Sequence, residues 1–438
     1  MKFASTRDGG LAASFSEALC RGLAPDGGLY IPRVLPSVDA RTLDGRSPLA
    51  ALAAALLAPC FADDVLETSL AGIADESLDF DAPLRPVEDG AGRLSMLELF
   101  HGPTAAFKDF GARFLAACFA RLRSPDAPAL TILVATSGDT GGAVAAAFDG
   151  RPGIRVVLLY PEGRVSPIQA HQLSCWGQNV CSLAVTGSFD DCQRLVKQAF
   201  ADDDLRSHVW LTPANSINLG RLLPQVFYYF LLAGVDGGLG PVVSVPSGNF
   251  GNLTAGLIAK RIGLPIAQFV AATNVNDAVP EYLESGVYEP RPSIATVANA
   301  MDVGAPSNFE RVQSLYNSDL MALRQDIVGF AYEDSQVIAE IGHVYREHGY
   351  VLDPHSAIAW LALQDRLVDQ PDARGVFLAT AHPAKFREVV EPAIGRSIEL
   401  PRALADAISR PRHSISMPAA YNALEDFLRA TQAPSART

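Results

Sequence analysis

Cysteine is scarce in this sequence and is not arranged for metal binding. The 438 residues contain 6 cysteines, none of them forms a Cys-x-x-Cys pair, and no histidine lies nearby at zinc-site spacing. Most of the cysteines are flanked by apolar residues, which is typical of buried thiols. We therefore expect no metal site, and we predict a reducing, cytoplasmic environment.

A surplus of positive charge is also missing. The formal net charge is -13 at pH 7, whereas nucleic-acid-binding surfaces need basic side chains to neutralise phosphates. The charge argues against general nucleic-acid binding. It does not exclude a local basic pocket for a small phosphorylated substrate.

Long hydrophobic runs are absent. The longest, from Leu49 to Ala62, has 14 residues and contains Pro59, so it is too short to span a bilayer and predicts a core helix. The first residues, Met1 to Asp8, show no apolar signal core. We therefore expect no membrane association.

Lysine is scarce as well, although the chain has 35 basic residues. The lysines are Lys2, Lys108, Lys197, Lys260 and Lys385. Arginine stays protonated, whereas a desolvated lysine can lose its proton and form a Schiff base with a carbonyl. Lys108 is thus a candidate for amine chemistry. The alternative is a surface lysine paired with Asp109.

The sequence does contain a repeated strand–loop–helix pattern. The length suggests about three domains at ~150 residues each. We predict a small N-terminal α/β domain over 1–85 and two open α/β domains over 86–240 and 241–438, between which segments are free to exchange. Continuous β-branched runs separated by helices predict parallel strands that are buried on both faces.

The predicted elements can be placed along the chain. Predicted strands cover part of 24–32, then 94–99, 130–135, 154–160, 179–185, 208–211, 242–245, 269–273 and 376–379. Predicted helices cover 14–23, 47–58, 63–73, 110–121, 143–148, one from Ser166-Pro167, one from 188 or 190 to 200, a long apolar one after 218 that ends near 234, 253–262 and most of 275–370. Residues 433–438 are expected to form a frayed end.

Three loops between a strand and a helix carry polar groups. Ser247-Gly-Asn-Phe-Gly-Asn252 would aim backbone N–H groups at an anion, and without a lysine it suits a monophosphate; the alternative is a plain tight turn. Thr136-Ser-Gly-Asp-Thr-Gly-Gly142 suits a carboxylate. Asn215-Ser-Ile-Asn-Leu-Gly-Arg221 offers polar groups and an arginine; its alternative is helix capping by Asn215 or Ser216 with a solvated Arg221.

Other polar and aromatic residues have weaker signals. Thr380 follows a strand, at the edge where open α/β sheets bind ligands, and its hydroxyl suits a ring nitrogen or a nearby backbone group. The histidines His343, His348 and His355 do not share a helical face and are predicted to be structural or exposed. The aromatic run Phe227-Tyr-Tyr-Phe230 predicts core or a domain interface rather than cofactor stacking.

Taken together, these stretches resemble the threonine synthase family, whose members are pyridoxal-phosphate enzymes of the tryptophan-synthase-β (type II) fold. The resemblance covers nearly the whole chain. It is carried in order by Ser5-Thr-Arg7, Gly22 to Tyr30, His101 to Phe110, Thr136 to Gly141, Ala214 to Asn218, Val245 to Gly251, Ala272 to Asp277, Asn299 to Asp302 and Thr380 to Lys385. It implies two parallel-sheet α/β domains with the cofactor between them, plus the N-terminal α/β domain.

The resemblance also implies residue roles toward the cofactor, pyridoxal 5'-phosphate. Lys108 would hold it as a Schiff base and later move protons. Thr380 would bond the pyridine nitrogen. The phosphate cradle would consist of Gly248, Asn249, Phe250, Gly251 and Asn252. Asp139 would lie beside the phenolic oxygen, where many type II enzymes have asparagine; an ionised Asp139 would oppose a phenolate there.

Two further groups would bind the substrate. The carboxylate would be bound by Thr136, Ser137 and Thr140, and the substrate phosphate by Asn215, Ser216 and Arg221. The implied reaction converts O-phospho-L-homoserine and water to L-threonine and phosphate, the last step of threonine biosynthesis. One alternative is a related dehydratase or phospho-lyase that eliminates without hydration. Another is a catalytically silent sensor of a phosphorylated metabolite.

Overall fold

Three sheets organise the described part of the chain. The computed structural model describes residues 1–40, 48–87, 92–124, 126–177, 179–235 and 240–430. A small antiparallel sheet near the N-terminus has the strand order β2-β1-β3. In chain order the strands are β1 (Phe3–Ser5), β2 (Ala12–Ala13), β3 (Tyr30–Pro32), β4 (Leu84–Pro86), β5 (Leu94–Glu98), β6 (Leu130–Ala135), β7 (Ile154–Pro161), β8 (Val180–Thr186), β9 (Trp210–Thr212), β10 (Val242–Pro246), β11 (Gln268–Asn274), β12 (Ile327–Tyr332), β13 (Gly375–Ala379) and β14 (Ile415–Pro418).

Helices connect and cover these strands. Within the described ranges the α-helices are α1 (Phe15–Arg21), α2 (Leu49–Phe61), α3 (Leu70–Ser77), α4 (Lys108–Leu122), α5 (Asp139–Phe148), α6 (Pro167–Ser174), α7 (Phe189–Ala201), α8 (Asp203–His208), α9 (Leu219–Leu222), α10 (Val226–Tyr229), α11 (Gly251–Arg261), α12 (Ala278–Ser285), α13 (Phe309–Leu315), α14 (Leu320–Asp326), α15 (Asp334–His348), α16 (Pro354–Val368), α17 (Arg387–Ile394), α18 (Arg402–Ile408) and α19 (Tyr421–Ala430). Among the described residues, none of these helices has the length and apolar character needed to cross a membrane.

The two large sheets confirm the predicted α/β fold with parallel strands. One has the order β12-β11-β10-β13-β5-β4, in which only the β4–β5 pair is antiparallel, and the other has the order β14-β8-β7-β6-β9 and is parallel throughout. Strand β6 is buried over most of its length, which its continuous apolar sequence predicts.

Each large sheet receives strands from a distant part of the chain. The early strands β4 and β5 join the sheet of β10 to β13, and the late strand β14 joins the sheet of β6 to β9. The domain limits at residues 85 and 240 stay a prediction; the strand order shows which segments cross them.

Several predicted elements are wrong in detail. A strand, β12, lies inside the stretch predicted to be helical, because this edge strand is half exposed and contains Gly329. Strand β14, also at an edge, was not predicted. The long helix after residue 218 is instead a series of short α and 3-10 turns, since Pro224 cannot donate a helical hydrogen bond.

Other boundaries move by a few residues. The second predicted helix starts later and extends to Phe61, the third begins at Leu70 instead of 63, and His208 ends α8 rather than starting a strand. Two shifts concern the predicted site. Helix α4 begins at Lys108 and α5 begins at Asp139, so both residues belong to a first helical turn rather than to a loop. The predicted frayed end lies outside the described residues.

Candidate active site

A cavity of about 560 Å³ opens where the carboxyl ends of β6, β10 and β13 face one another. Such ends of parallel strands are the usual position of ligand sites in open α/β sheets. Every residue that the sequence predicts to bind the cofactor or the substrate lines this cavity: Lys108, Thr136, Ser137, Asp139, Thr140, Asn215, Ser216, Arg221, Gly248, Asn249, Phe250, Gly251, Asn252 and Thr380.

The loop before Lys108 is fastened to the strand end that carries Thr380. The Phe107 N–H donates to the Thr380 carbonyl at 2.8 Å, and the His382 N–H donates to the Ala105 carbonyl at 3.0 Å. Ala105 adopts a left-handed backbone with φ 54°. These two bonds fix where α4 begins and thus which way its first side chain extends.

The Lys108 amine has no hydrogen-bond or ion-pair partner among the described residues. Its neighbour Asp109 is buried and accepts from the Thr104 N–H at 2.8 Å and from the Thr104 hydroxyl at 2.7 Å. The interpretation of Lys108 as a surface lysine paired with Asp109 is therefore wrong. Burial lowers the pKa of Lys108 from its usual 10.5 to about 8, which brings the neutral, nucleophilic amine within reach at physiological pH.

The Asp139 carboxylate forms an ion pair with Lys385. Its Oδ1 lies 2.8 Å from the Lys385 ammonium, and both side chains are buried. The Gln169 amide donates to the same oxygen at 2.9 Å. Although burial opposes ionisation, Lys385 and Lys108 lower the pKa of Asp139 below its usual value. The adjacent ammonium thus stabilises the ionised form of the Asp139 carboxylate.

In the loop from Thr136 to Gly142, a side chain of the loop itself accepts hydrogen bonds from two of its backbone N–H groups. The Thr136 hydroxyl accepts from the N–H groups of Gly138 at 3.0 Å and Gly141 at 2.8 Å. Gly138 has φ 137°, and a Cβ there would lie 2.6 Å from the Gln169 side chain, so only glycine fits. The N–H groups of Ser137, Asp139 and Thr140 have no recorded partner in this described loop, which leaves a small anion site.

The loop from Ser247 to Asn252 is more open. No N–H from Gly248 to Leu253 donates a hydrogen bond within the described structure, and these residues line the cavity at the start of α11. Phe250 turns the chain through a left-handed backbone with φ 59°. A Cβ at Gly248 would lie 2.6 Å from the Met301 Cα, so the loop passes close to that backbone. Consecutive free N–H groups at a helix N-terminus form an anion cradle.

Two tyrosines orient the Asn252 amide. Its Oδ1 accepts from the Tyr228 hydroxyl at 2.6 Å and from the Tyr229 hydroxyl at 2.7 Å, while its buried Nδ2 has no partner within the described ranges. An oxygen with two donors leaves the NH₂ group available to donate to a ligand. Both tyrosines are fully buried, which confirms the prediction that the aromatic run belongs to the core.

The third loop is held so that it presents a hydroxyl donor. The Ser216 hydroxyl accepts from the amides of Asn249 at 2.6 Å and Asn308 at 3.0 Å, which occupies both lone pairs and leaves its hydrogen free. The buried Arg311 fixes this loop by donating to the Ser216 carbonyl at 3.0 Å and to the Ile217 carbonyl at 2.6 Å.

The alternative interpretation of this loop, helix capping by Asn215 or Ser216 with a solvated Arg221, is wrong. The residue that caps α9 is Asn218, whose side chain accepts from the Gly220 N–H, so neither Asn215 nor Ser216 is the cap. Arg221 is not solvated, since only 2% of it is exposed. Its Nη1 donates to the Ala214 carbonyl at 2.6 Å. Neither its buried Nε nor the Asn215 Oδ1 has a partner among the residues that the structure describes.

Thr380 and His355 complete the cavity wall. The Thr380 hydroxyl has no recorded hydrogen bond in the described structure and lines the cavity. His355 is buried; its Nδ1 lies 2.6 Å from the Asp353 carboxylate, and the Ala300 N–H donates to its Nε2 at 3.2 Å. These bonds confirm a structural part for His355.

Sequence reasoning missed Lys385, Gln169 and Arg311 as residues of this site. Lys385 offered a usable signal, because the scarcity of lysine that singled out Lys108 applies to it equally. Gln169 and Arg311 carried no such signal, since their contacts join segments far apart in the chain. The N-terminal motif also reaches the cavity, where Arg7 pairs with Glu310 at 3.1 Å.

Comparisons with known proteins agree with this geometry. Residues 82–380 match the family model described as pyridoxal-phosphate dependent enzyme, residues 2–78 match the threonine synthase N terminus, and residues 356–428 match the threonine synthase C-terminal family. Threonine synthase of Serratia marcescens is 42% identical over 98% of this chain and 99% of its own length.

Two solved structures of threonine synthases superpose on nearly the whole chain. The crystal structure of threonine synthase from Escherichia coli superposes with a TM-score of 0.90 at 41% identity and covers 98% of this chain and 100% of that one. A threonine synthase from Brucella melitensis, described as bound to PLP, has a TM-score of 0.89 at 36% identity and covers 99% of this chain and 100% of its own.

The cavity fits pyridoxal phosphate. This cofactor needs an amine for its aldehyde carbon, several donors for its phosphate and a partner for its ring nitrogen. The unpaired Lys108 amine, the free N–H groups after Ser247, the orphaned Asn252 Nδ2 and the Thr380 hydroxyl supply these groups. The family match and the PLP-bound relative confirm the cofactor that the sequence predicts.

Proposed function

The chain belongs to the threonine synthase family of pyridoxal-phosphate-dependent enzymes, and from this premise we propose that it converts O-phospho-L-homoserine and water to L-threonine and phosphate. One observation carries the proposal. The Lys108 amine, which has no partner among the described residues, lies in the same cavity as two loops that leave different numbers of N–H groups free to bind an anion. A substrate with a carboxylate and a phosphate, together with the phosphate of the cofactor, requires several such sites.

The reaction requires proton transfers at neighbouring carbons. It breaks the Cγ–O bond to phosphate, adds the hydroxyl of water at Cβ and places a proton on Cγ. Pyridoxal phosphate, when bound, supplies the electron-withdrawing system that makes C–H bonds of the substrate acidic. Lys108 is the group we propose for the proton transfers, because its Nζ has no hydrogen-bond or ion-pair partner in the described part of the chain and burial lowers its pKa to about 8. An amine with a pKa near the working pH both accepts and returns a proton.

The cofactor end of the cavity is assigned to the loop after β10. Its free N–H groups and the Asn252 NH₂ donate to a phosphate, and the helix dipole of α11 adds to the attraction. We assign the Thr380 hydroxyl to the ring nitrogen. Asp139, neutralised by Lys385, lies on the same wall and is assigned to the cofactor without adding a net charge.

The substrate end is assigned to the other two loops. The free N–H groups of Ser137 and Thr140, with their hydroxyls, suit a carboxylate. The Ser216 hydroxyl, the Asn215 side chain and the Arg221 guanidinium are assigned to the substrate phosphate; the Ser216 hydrogen is free to donate because both lone pairs already accept. We further infer that the protein acts in the reducing cytoplasm, which is supported by six free cysteines.

End-point product analysis with O-phospho-L-homoserine tests the proposal. We expect L-threonine and inorganic phosphate in equal amounts, with no 2-oxobutyrate. Phosphate with 2-oxobutyrate and ammonia would instead identify a phospho-lyase. Binding of O-phospho-L-homoserine without any product would identify a sensor. Either of these two results overturns the proposal.

A further inference from the structure

Lys385 holds a position that the proposed chemistry does not use directly. It is fully buried, and its ammonium contacts the Asp139 carboxylate at 2.8 Å and the Thr104 carbonyl at 2.8 Å. Thr104 belongs to the loop that leads to Lys108. A buried ammonium is costly unless it is paired, so this lysine is placed where its charge is matched by one specific carboxylate.

Two carboxylates lie close enough to influence the charge of Lys108, and both are already engaged. Asp353 accepts from the N–H and Nδ1 of His355 and from the N–H and hydroxyl of Ser356. Asp139 accepts from Lys385 and Gln169. Lys108, in contrast, has no hydrogen-bond or ion-pair partner among the described residues.

The charged groups that act on Lys108 come from four elements. Asp139 at the start of α5 and Asp353 at the N-cap of α16 favour the protonated amine. Lys385, in the short 3-10 turn after β13, and Arg221 in α9 oppose it. Without Lys385, the Asp139 charge would be uncompensated and would favour the protonated form of Lys108 more strongly. The two lysines thus act on the same carboxylate.

We propose that Lys385 is a positioning residue that serves as the dedicated counter-ion of Asp139 and so leaves the Lys108 amine unpaired and easier to deprotonate. The second contact of Lys385, to the Thr104 carbonyl, supports this function because it ties this cation to the loop of Lys108. The Gln169 amide supports it further, since a hydrogen bond to Asp139 Oδ1 reduces the demand of that oxygen for a second cation. The inference rests on the proposed part played by Lys108.

The test measures how the reactivity of Lys108 depends on pH in the full chain after bound pyridoxal phosphate has been removed, because a Schiff base at Lys108 would block the amine. An amine-acylating reagent labels neutral lysines, and peptide mass spectrometry gives the labelling rate at each lysine. Lys197, an exposed lysine at the rim of the same cavity, is the internal control. Burial places the wild-type Lys108 midpoint at about 8, well below the usual 10.5.

The variants are expected to move the midpoint in opposite directions. In Lys385→Met the Asp139 charge is freed, so the Lys108 midpoint rises by about 1 to 3 pH units. In Asp139→Asn the negative charge is lost while Lys385 remains, so the midpoint falls. The double variant reverses the rise seen in Lys385→Met, and Lys385→Arg, which keeps the charge, stays near wild type. The Lys197 midpoint does not move in any of them.

A purely structural ion pair predicts something else. Both single variants would then melt at lower temperature, while their Lys108 midpoints would stay equal to that of wild type, and this result would overturn the inference. If Lys385→Met does not fold, the Asp139→Asn variant decides alone: a lower Lys108 midpoint supports the inference, and an unchanged midpoint overturns it. Borohydride reduction of the wild-type protein with pyridoxal phosphate, followed by peptide mapping, tests Lys108 separately: attachment at another lysine would contradict the proposed site, whatever the midpoints show.

Discussion

The loops at 136–142 and 247–252 occupy equivalent positions, each between a parallel strand and a helix N-terminus, yet they differ in what they leave free. In the first, the Thr136 hydroxyl accepts two of the loop's own N–H groups. In the second, the N–H groups from Gly248 to Leu253 have no partner within the described structure, and the Asn252 NH₂ is free as well.

This difference teaches how one fold builds anion sites of two sizes. A hydroxyl inside the loop satisfies backbone donors and leaves a site with few of them, which suits a carboxylate. A left-handed residue, Phe250, and close packing at Gly248 turn the donors of the second loop toward the cavity, which suits a phosphate with its greater charge. The number of free donors, rather than the presence of glycine, separates the two.

The largest effect is expected from replacing Lys108, which lines the same cavity as both loops. Lys108→Ala should lower the turnover rate by about 10³-fold or more, because the proton-transfer group is lost, and should remove the absorbance band expected at about 410–430 nm. Absorbance spectra and threonine formation measure this. Lys260→Ala, which alters an ion pair with Asp326 away from the cavity, is the control. A band that persists without Lys108 would contradict its assignment.

A smaller loss is expected when the phosphate loop is changed. In Gly248→Ala the new methyl group would lie 2.6 Å from the Met301 Cα, so the loop must shift and the free N–H groups lose their common direction. We expect an affinity for pyridoxal phosphate lower by about 10²-fold, or roughly 3 kcal/mol. A fluorescence titration measures it, with Gly9→Ala, where space is open, as the control. Unchanged affinity would refute the cradle.

Arg221 tests whether the substrate phosphate has a site apart from both loops. Arg221→Ala should weaken binding of O-phospho-L-homoserine by about 1.5–3 kcal/mol and that of unphosphorylated homoserine much less. Competition assays give both constants. Equal losses for the two ligands would show that Arg221 does not bind the substrate phosphate.

Thr136→Val should affect stability and leave the affinity for cofactor nearly unchanged. Two buried N–H groups lose their acceptor, which costs about 1–3 kcal/mol of unfolding free energy. The matched control is Thr131→Val on β6, because the buried Thr131 hydroxyl has no hydrogen-bond partner among the described residues. Urea unfolding of the two variants measures the difference. If Thr136→Val weakened pyridoxal phosphate binding as much as Gly248→Ala, the distinction between the loops would fail.

The smallest expected effect is that of Tyr228→Phe. One of the two donors that orient the Asn252 amide is removed, and the other from Tyr229 remains. We expect the affinity for pyridoxal phosphate to fall by about 0.5–1.5 kcal/mol. Tyr332→Phe, which loses a hydroxyl bond to Asp365 of the same length, should leave that affinity unchanged. Equal effects of the two variants would show that the tyrosine hydroxyls do not orient the Asn252 amide for cofactor binding.

Much of the site was accessible from the sequence because it consists of short motifs at strand ends. Lys108, the two anion loops and Thr380 each follow a strand, and parallel strands bring their carboxyl ends to one edge. The interrupted helix after residue 218 and the edge strands β12 and β14 were not, because exposure and a proline hide the periodicity on which such predictions depend.

By itself, the sequence determined the α/β fold, the strand ends that carry polar loops and the family to which the chain belongs. Only the tertiary structure decided how the charges are shared: Asp139 pairs with Lys385 and not with Lys108, and two tyrosines set the direction of Asn252. The physical reason is that a motif fixes local backbone geometry, whereas an ion pair or a buried hydrogen bond depends on which distant segments pack together and exclude water.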